Sequence, residues 1–533
     1  MKHSFIDLCR QPDSILFQYE DSGVRFEEPD SREEQSSRLD YQVENGVGTI
    51  ILYPSDRPFK RVKLRFRGDL SDSLMMMGDA YERTTGETAW SGITPHLVMP
   101  WYFYLYDGEA LHGFGVRTGA SCVASFTCDP YGITLWLDVR NGGGGVALRE
   151  PLRAAEVVCR RGTPGEIPFF AAREFCRMMC PHPNLPKEPV FGVNNWYWAY
   201  GNITHASVME ETDYLMEMTA GSACRPYMTI DDGWQRHRYT SRTGVYNGGP
   251  WDAVNEGFSS MQETAEAIHE KGAKAGIWFR PLETCVRVPA EAEGPKPCRG
   301  DGFYLDPSHP FTKELVRRDT AMIRSWGYDL IKHDFSTYDT TDAYPYADGN
   351  WHFYDRTRTN AEILRDFYRT VEDAAGGAVV IGCNTVNHLV AGIHAVQRSG
   401  GDTSGRNFEI TRRDGGASLM RLPQNGTFFA ADPDCAAFTP MVDHGINLDF
   451  LEACAISGAV TLASVTPHTL TSSEMSRIQK IFGIASRGGA GAYPTDWLGH
   501  NIPSRFETPD GRRFDFDWYR VYDGVRTFYT WGN

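Results

Sequence analysis

The chain changes its hydrophobic rhythm near residue 190. Before that point apolar and polar residues alternate, as in Arg61-Val-Lys-Leu-Arg-Phe-Arg67 and Ile133-Thr-Leu-Trp-Leu-Asp-Val139. Alternation with period two predicts half-buried antiparallel strands. Turn signals recur between them, at Asp107-Gly108, at Asp129-Pro130 and at Asn141 followed by four glycines. Many short strands at this spacing predict an all-β sandwich over residues 1–185. Residues 171–179 carry a helical pattern, and the four prolines of 181–189 read as a linker.

From Val190 short apolar runs alternate with amphipathic helical periods. The runs fall at 193–198, 227–231, 273–279, 328–332, 378–383, 393–397, 427–431 and 455–463; the helices fall at 206–218, 261–271, 312–326, 360–374 and 472–482. Roughly eight strand–helix units over roughly 300 residues predict an α/β TIM (β/α)8 barrel across 186–486. Residues 487–533 return to strand-like segments at 514–519 and 526–531, a short carboxy-terminal β-element.

Composition narrows the partners. A formal net charge of −16 with no Lys/Arg run excludes nucleic acid and an anionic membrane surface. The first ten residues have no signal-peptide pattern, and no later stretch is long enough to span a bilayer. Twelve cysteines lie scattered, which suits a reduced, cytoplasmic protein. Cys176 and Cys180 read as buried thiols, and Cys285 and Cys298 flank a loop that a disulfide could close.

The chemistry sits where apolar runs end. The fourth run closes on Lys332-His-Asp334, with Lys332 and Asp334 on one side of the strand and His333 on the other. Alone, this pattern also fits a structural ion pair. Other runs end similarly: Asn194-Asn-Trp196, Asp231-Asp-Gly-Trp234, Trp278-Phe-Arg280 and Arg398-Ser-Gly-Gly-Asp402. The adjacent carboxylates Asp231 and Asp232 need hydroxyls or a cation to satisfy them. No third metal ligand stands at a suggestive spacing, so sugar hydroxyls are preferred to a divalent ion, and Trp234 could wall the site. Glycines around Asp402 allow close approach to a ligand. Asp334 and Asp402 form a candidate carboxylate pair for glycoside hydrolysis. Lys332 would keep Asp334 ionised, and Asp402, as the acid, would need a raised pKa.

These motifs together resemble the clan D glycoside hydrolases, the α-galactosidase (melibiase) group of families 27 and 36. The resemblance covers residues 190–485, and the preceding sandwich is similar to family 36 architecture. Gly192-Val-Asn-Asn-Trp196 resembles the first-strand motif, which implies Trp196 in the galactose pocket. The resemblance implies Asp231 and Asp232 on the 4- and 6-hydroxyls, and Trp278 in the pocket wall. It implies Asp334 as nucleophile, Lys332 on the 3- and 4-hydroxyls, Asp402 as acid/base and Arg398 near the 2-hydroxyl, with Asp434 of Asp432-Pro-Asp434 orienting Arg398. Two departures stand out. His333 and Phe335 replace the usual family 36 neighbours of the nucleophile, and Asn384 follows Cys383 where the C2 pocket is set.

The sequence thus predicts a retaining α-glycoside hydrolase releasing terminal α-galactose from an oligosaccharide or glycoside, with no cofactor and no metal. An α-N-acetylgalactosaminidase or a raffinose-synthase-like transglycosylase would share these residues. A carbohydrate-binding protein without catalysis would have no use for both Asp334 and Asp402. A homo-oligomer is left open.

Overall fold

The computed structural model describes residues 3–29, 31–236, 248–294, 302–341, 349, 351–499 and 501–521. Cys298 and the strand expected at 526–531 lie outside the described residues.

The amino-terminal part holds two antiparallel sheets. One orders Ser14–Tyr19, Phe59–Arg67, Gly132–Asp138, Val123–Asp129 and Met99–Pro100. The other has seven strands, with Leu152–Arg160 and Leu111–Val116 near its centre. In Phe59–Arg67 the residues Val62, Leu64 and Phe66 are fully buried while the intervening cations face outward. The sheets meet through rings, Phe103 against Phe126 at 5.4 Å and Tyr41 against Phe66 at 6.1 Å.

The second part is a TIM-like barrel. Its parallel strands are β1 (Phe191–Asn194), β2 (Tyr227–Ile230), β3 (Lys274–Phe279), β4 (Leu330–His333), β5 (Val379–Gly382), β6 (Val396–Arg398), β7 (Ala430–Asp432), β8 (Cys435–Phe438) and β9 (Thr461–Val465). Nine segments fill eight positions, because β7 pairs with β6, β8 pairs with β9, and only Pro433 and Asp434 separate β7 from β8. Proline lacks a ladder donor, so the seventh strand breaks there and changes neighbours. The intervening helices start on side-chain caps; Thr359 accepts from the Glu362 amide and Glu362 returns a bond to the Thr359 amide at 3.0 Å.

Three expectations are corrected. The apolar run expected as a strand at 455–463 splits. Its first part ends the helix His444–Ser457, capped by left-handed Gly458, and the strand occupies Thr461–Val465. That helix is buried on nearly every side, so it shows no amphipathic period to distinguish it from a buried strand. The first strand also ends early, at Asn194, and Trp196–Ala199 forms one helical turn. At the carboxy end, strand pairing covers Arg513–Asp515 within a small three-stranded sheet rather than all of 514–519.

Candidate active site

Every predicted site residue stands at or just beyond the carboxyl end of a barrel strand, and the strands bring them to one end of the barrel. The backbone there is unusual: Phe335, Asn384 and Asp434, all non-glycine, have φ of 63°, 50° and 75°. Left-handed residues persist only where their surroundings hold them, and such positions concentrate at functional sites.

Asp334 is buried and accepts three hydrogen bonds. Trp278 Nε1 donates to Oδ2 at 3.0 Å, while Asn384 Nδ2 at 2.6 Å and the Phe335 amide at 2.7 Å donate to Oδ1. Burial works to raise its pKa, but Lys332 and Arg83, with help from Asn384 and Trp278, outweigh it and hold the carboxyl well below the usual range. The direct partner of Lys332 is not Asp334. Its Nζ lies 2.7 Å from Oδ2 of Asp231, which also accepts from Asn194 at 2.6 Å. Lys332 therefore acts on Asp334 through space.

The neighbouring carboxylates are unequal. Asp232 is pushed up to about 7, first by burial, with Asp231 and Asp334 adding to the effect and a hydrogen bond from Gln235 opposing it. Asp231 already carries an ammonium, so the pair needs no divalent ion to balance its charge. Among the described residues, the cluster able to hold a metal is Asp7, Cys9 and Cys159, all outside the barrel. Trp234 does not wall the site; it is fully buried against Trp251 and Trp326, and its indole donates to the Trp278 carbonyl. Trp196 is half-buried beside Tyr200.

Arg398 is buried and spans two carboxylates, Asp434 at 2.8 Å and Asp402 at 3.2 Å. Asp434 is fixed in turn by the Thr403 amide at 2.9 Å and by the Tyr197 hydroxyl. Asp402 differs from the other carboxylates because its side chain is 58% exposed while its partner Arg398 is 1% exposed. It does not show the raised pKa expected of an acid. Surrounding protein pushes it up, but Arg83 and Arg398 push it below its ordinary value, against the opposing charge of Asp334. Glycines on either side of it serve the fold: a Cβ at Gly400 would meet the Asp414 carbonyl at 2.3 Å, and one at Gly405 the Tyr197 carbonyl at 1.9 Å.

His333 points away from the site, as alternation requires. It is fully buried among Phe367, Tyr368 and His394, its ring nitrogens lack partners among the described residues, and burial keeps it neutral, with a pKa well below the ordinary value.

Sequence reasoning missed Arg83. It comes from the amino-terminal sheets, where no periodicity marks it, and pairs with Asp402 at 2.6 Å and with the Asn384 amide oxygen at 2.6 Å.

The class defined by this architecture is a TIM-like barrel behind antiparallel amino-terminal sheets. No family model and no curated protein matches the sequence. Solved structures do share the fold. An α-galactosidase from Thermus thermophilus, in complex with p-nitrophenyl α-D-galactopyranoside, superposes with a TM-score of 0.60 at 17% identity, over 90% of this chain and 96% of that one. A family 36 α-galactosidase from Geobacillus stearothermophilus, in complex with 1-deoxygalactonojirimycin, gives 0.59 at 13% identity, over 89% of this chain and 71% of that one. An α-galactosidase from Lactobacillus brevis gives 0.58 at 14% identity, over 89% of this chain and 69% of that one. At such identities the likeness establishes the fold.

Proposed function

We propose that the protein is a retaining α-glycoside hydrolase acting on terminal α-galactosides. The observation that carries this reading is Asp334: a buried carboxylate with three fixed donors, kept ionised by cations, beside the exposed Asp402. An ionised carboxylate held in one orientation suits attack on an anomeric carbon. Asp402, reachable from solvent, suits protonation of the departing oxygen and later activation of water. Asp231, Asp232 and Lys332 would bind hydroxyls on the far side of the ring. Trp196 and Trp278 would line the pocket, and Arg398, oriented by Asp434, would face the 2-hydroxyl. The fold shared with three α-galactosidases supports galactose as the sugar.

The same proposal divides the chain into a sandwich at 1–185, a catalytic barrel at 186–486 and a β-element at 487–533, in a reduced cytoplasmic setting. None of the described helices is long and apolar enough to cross a membrane.

Chromogenic α- and β-glycosides of galactose, N-acetylgalactosamine, glucose and arabinopyranose test the reading. Hydrolysis of the α-galactoside with the α-anomer as first product is expected; turnover of β-glycosides alone, or of none, refutes it.

A further inference from the structure

Arg83 reaches the site from a loop between the strands Met75–Gly78 and Ser91–Gly92 of the amino-terminal sheets. That loop is pinned to the barrel by its backbone. The Thr84 amide donates to the Ser399 carbonyl at 3.2 Å, and the Gly401 amide donates to the Thr84 carbonyl at 2.6 Å. The Glu82 carbonyl accepts from Asn387 at 2.7 Å and from Arg421 at 3.0 Å. Thr84 is thus fixed to the segment that precedes Asp402, and Glu82 to Asn387 and Arg421 elsewhere on the barrel. Arg83 is a built wall of the site.

Its donors exceed the acceptors around it. One terminal nitrogen meets Asp402, the other meets Asn384, and Nε–H is buried with no partner among the described residues. Among the described residues the ion-pair partner of Arg83 is Asp402, which it shares with Arg398, whereas Arg398 has Asp434 as a second carboxylate. The neighbouring Glu82 is a poor substitute, because burial pushes its carboxyl toward the neutral form. When Asp402 takes up a proton to act as an acid, Arg83 loses its counter-ion. A cation largely removed from water and left unpaired is costly. An anion on the substrate, close to the scissile oxygen, would replace the lost charge at the guanidinium.

We propose that Arg83 is a specificity-determining residue that selects galactosides carrying a phosphate, sulfate or carboxylate beside the scissile bond. This rests on the galactoside reading above. The anion could sit on the leaving group or on O2 of the galactose, since Arg83 bridges Asp402 and Asn384.

Titration calorimetry on the full chain separates these cases, with Asp334→Ala in every protein so that no probe turns over. The probes are methyl α-galactoside, α-galactose 1-phosphate and methyl 2-O-sulfo-α-galactoside. Charge-assisted bonds predict that one anionic probe binds at least about tenfold tighter than the neutral one. The tighter of the two locates the anion. Arg83→Met is expected to abolish the preference and Arg83→Lys to keep part of it, with unfolding midpoints confirming that both variants fold. If the neutral probe binds as tightly as both anions, or if the preference survives in Arg83→Met, the proposal is overturned. If no galactoside binds but inorganic sulfate does so through Arg83, the galactose reading fails while the anion site stands.

Discussion

Lys332 Nζ lies 2.7 Å from Oδ2 of Asp231, which follows a strand two places away in the sheet, and both side chains are less than 10% exposed. The pair crosses from β4 to β2, bypassing Asp334 on its own strand. Removing one partner of a buried pair leaves an uncompensated charge and typically costs about 3–5 kcal/mol. Lys332→Met is therefore expected to lower unfolding free energy by that order in guanidinium titrations. Adding Asp231→Asn should return part of the loss; a double variant as unstable as the sum of the singles would contradict the pairing.

The two aspartates separate by rescue chemistry. Asp334→Ala should lose turnover on all substrates, and external azide should restore some of it as the β-glycosyl azide. Asp402→Ala should slow least on nitrophenyl substrates, whose leaving groups depart without a proton, and azide should give the retained α-product. Product configuration by proton NMR decides, and reversed configurations would exchange the two roles.

Asp232 links stability to pH. Its carboxyl stands at about 7 in the fold, above the unfolded value, so the folded state favours the protonated form. Its contribution is complete below pH 4, roughly the unfolded value, and is lost as pH rises through about 7. Asp232→Asn should thus gain stability relative to the parent between pH 5 and pH 8, by up to about 3 kcal/mol, since about two pH units of that interval lie below the folded value at 1.36 kcal/mol per unit. An equal difference at both pH values would show that Asp232 titrates normally.

Asn384 is held at both ends, donating to Asp334 and accepting from Arg83. Asn384→Ser shortens it, opens the C2 side and releases one donor from Asp334. The ratio of kcat/KM for α-galactoside to that for α-N-acetylgalactosaminide is expected to shift about tenfold or more, the equivalent of one hydrogen bond. An unchanged ratio places the C2 pocket elsewhere.

Chelation gives a simpler check. With Lys332 already on Asp231, dialysis against EDTA should leave the rate unchanged. Loss of activity restored by a divalent ion would reassign Asp231 and Asp232 as ligands.

The sequence by itself determined the strand–helix alternation from residue 190 and the polar residues that close each strand. Both are local: buried strands are short and apolar, and side chains alternate by geometry, so Lys332 and His333 had to face opposite ways. It misjudged 455–463, because a helix buried on all sides lacks the period that separates helix from strand. Tertiary structure alone decided which charges meet. Lys332 chose Asp231, 101 residues away, over Asp334 two residues along its own strand. Arg83 met Asp402 across 319 residues and from outside the barrel. Whether a carboxylate is ionised depends on the cations that packing places around it, and no spacing along the chain encodes that. So the two aspartates could be singled out as candidates along the chain, while their electrostatic inequality, with Asp334 buried and held ionised and Asp402 exposed between two arginines, emerged only when the amino-terminal sheets docked on the barrel.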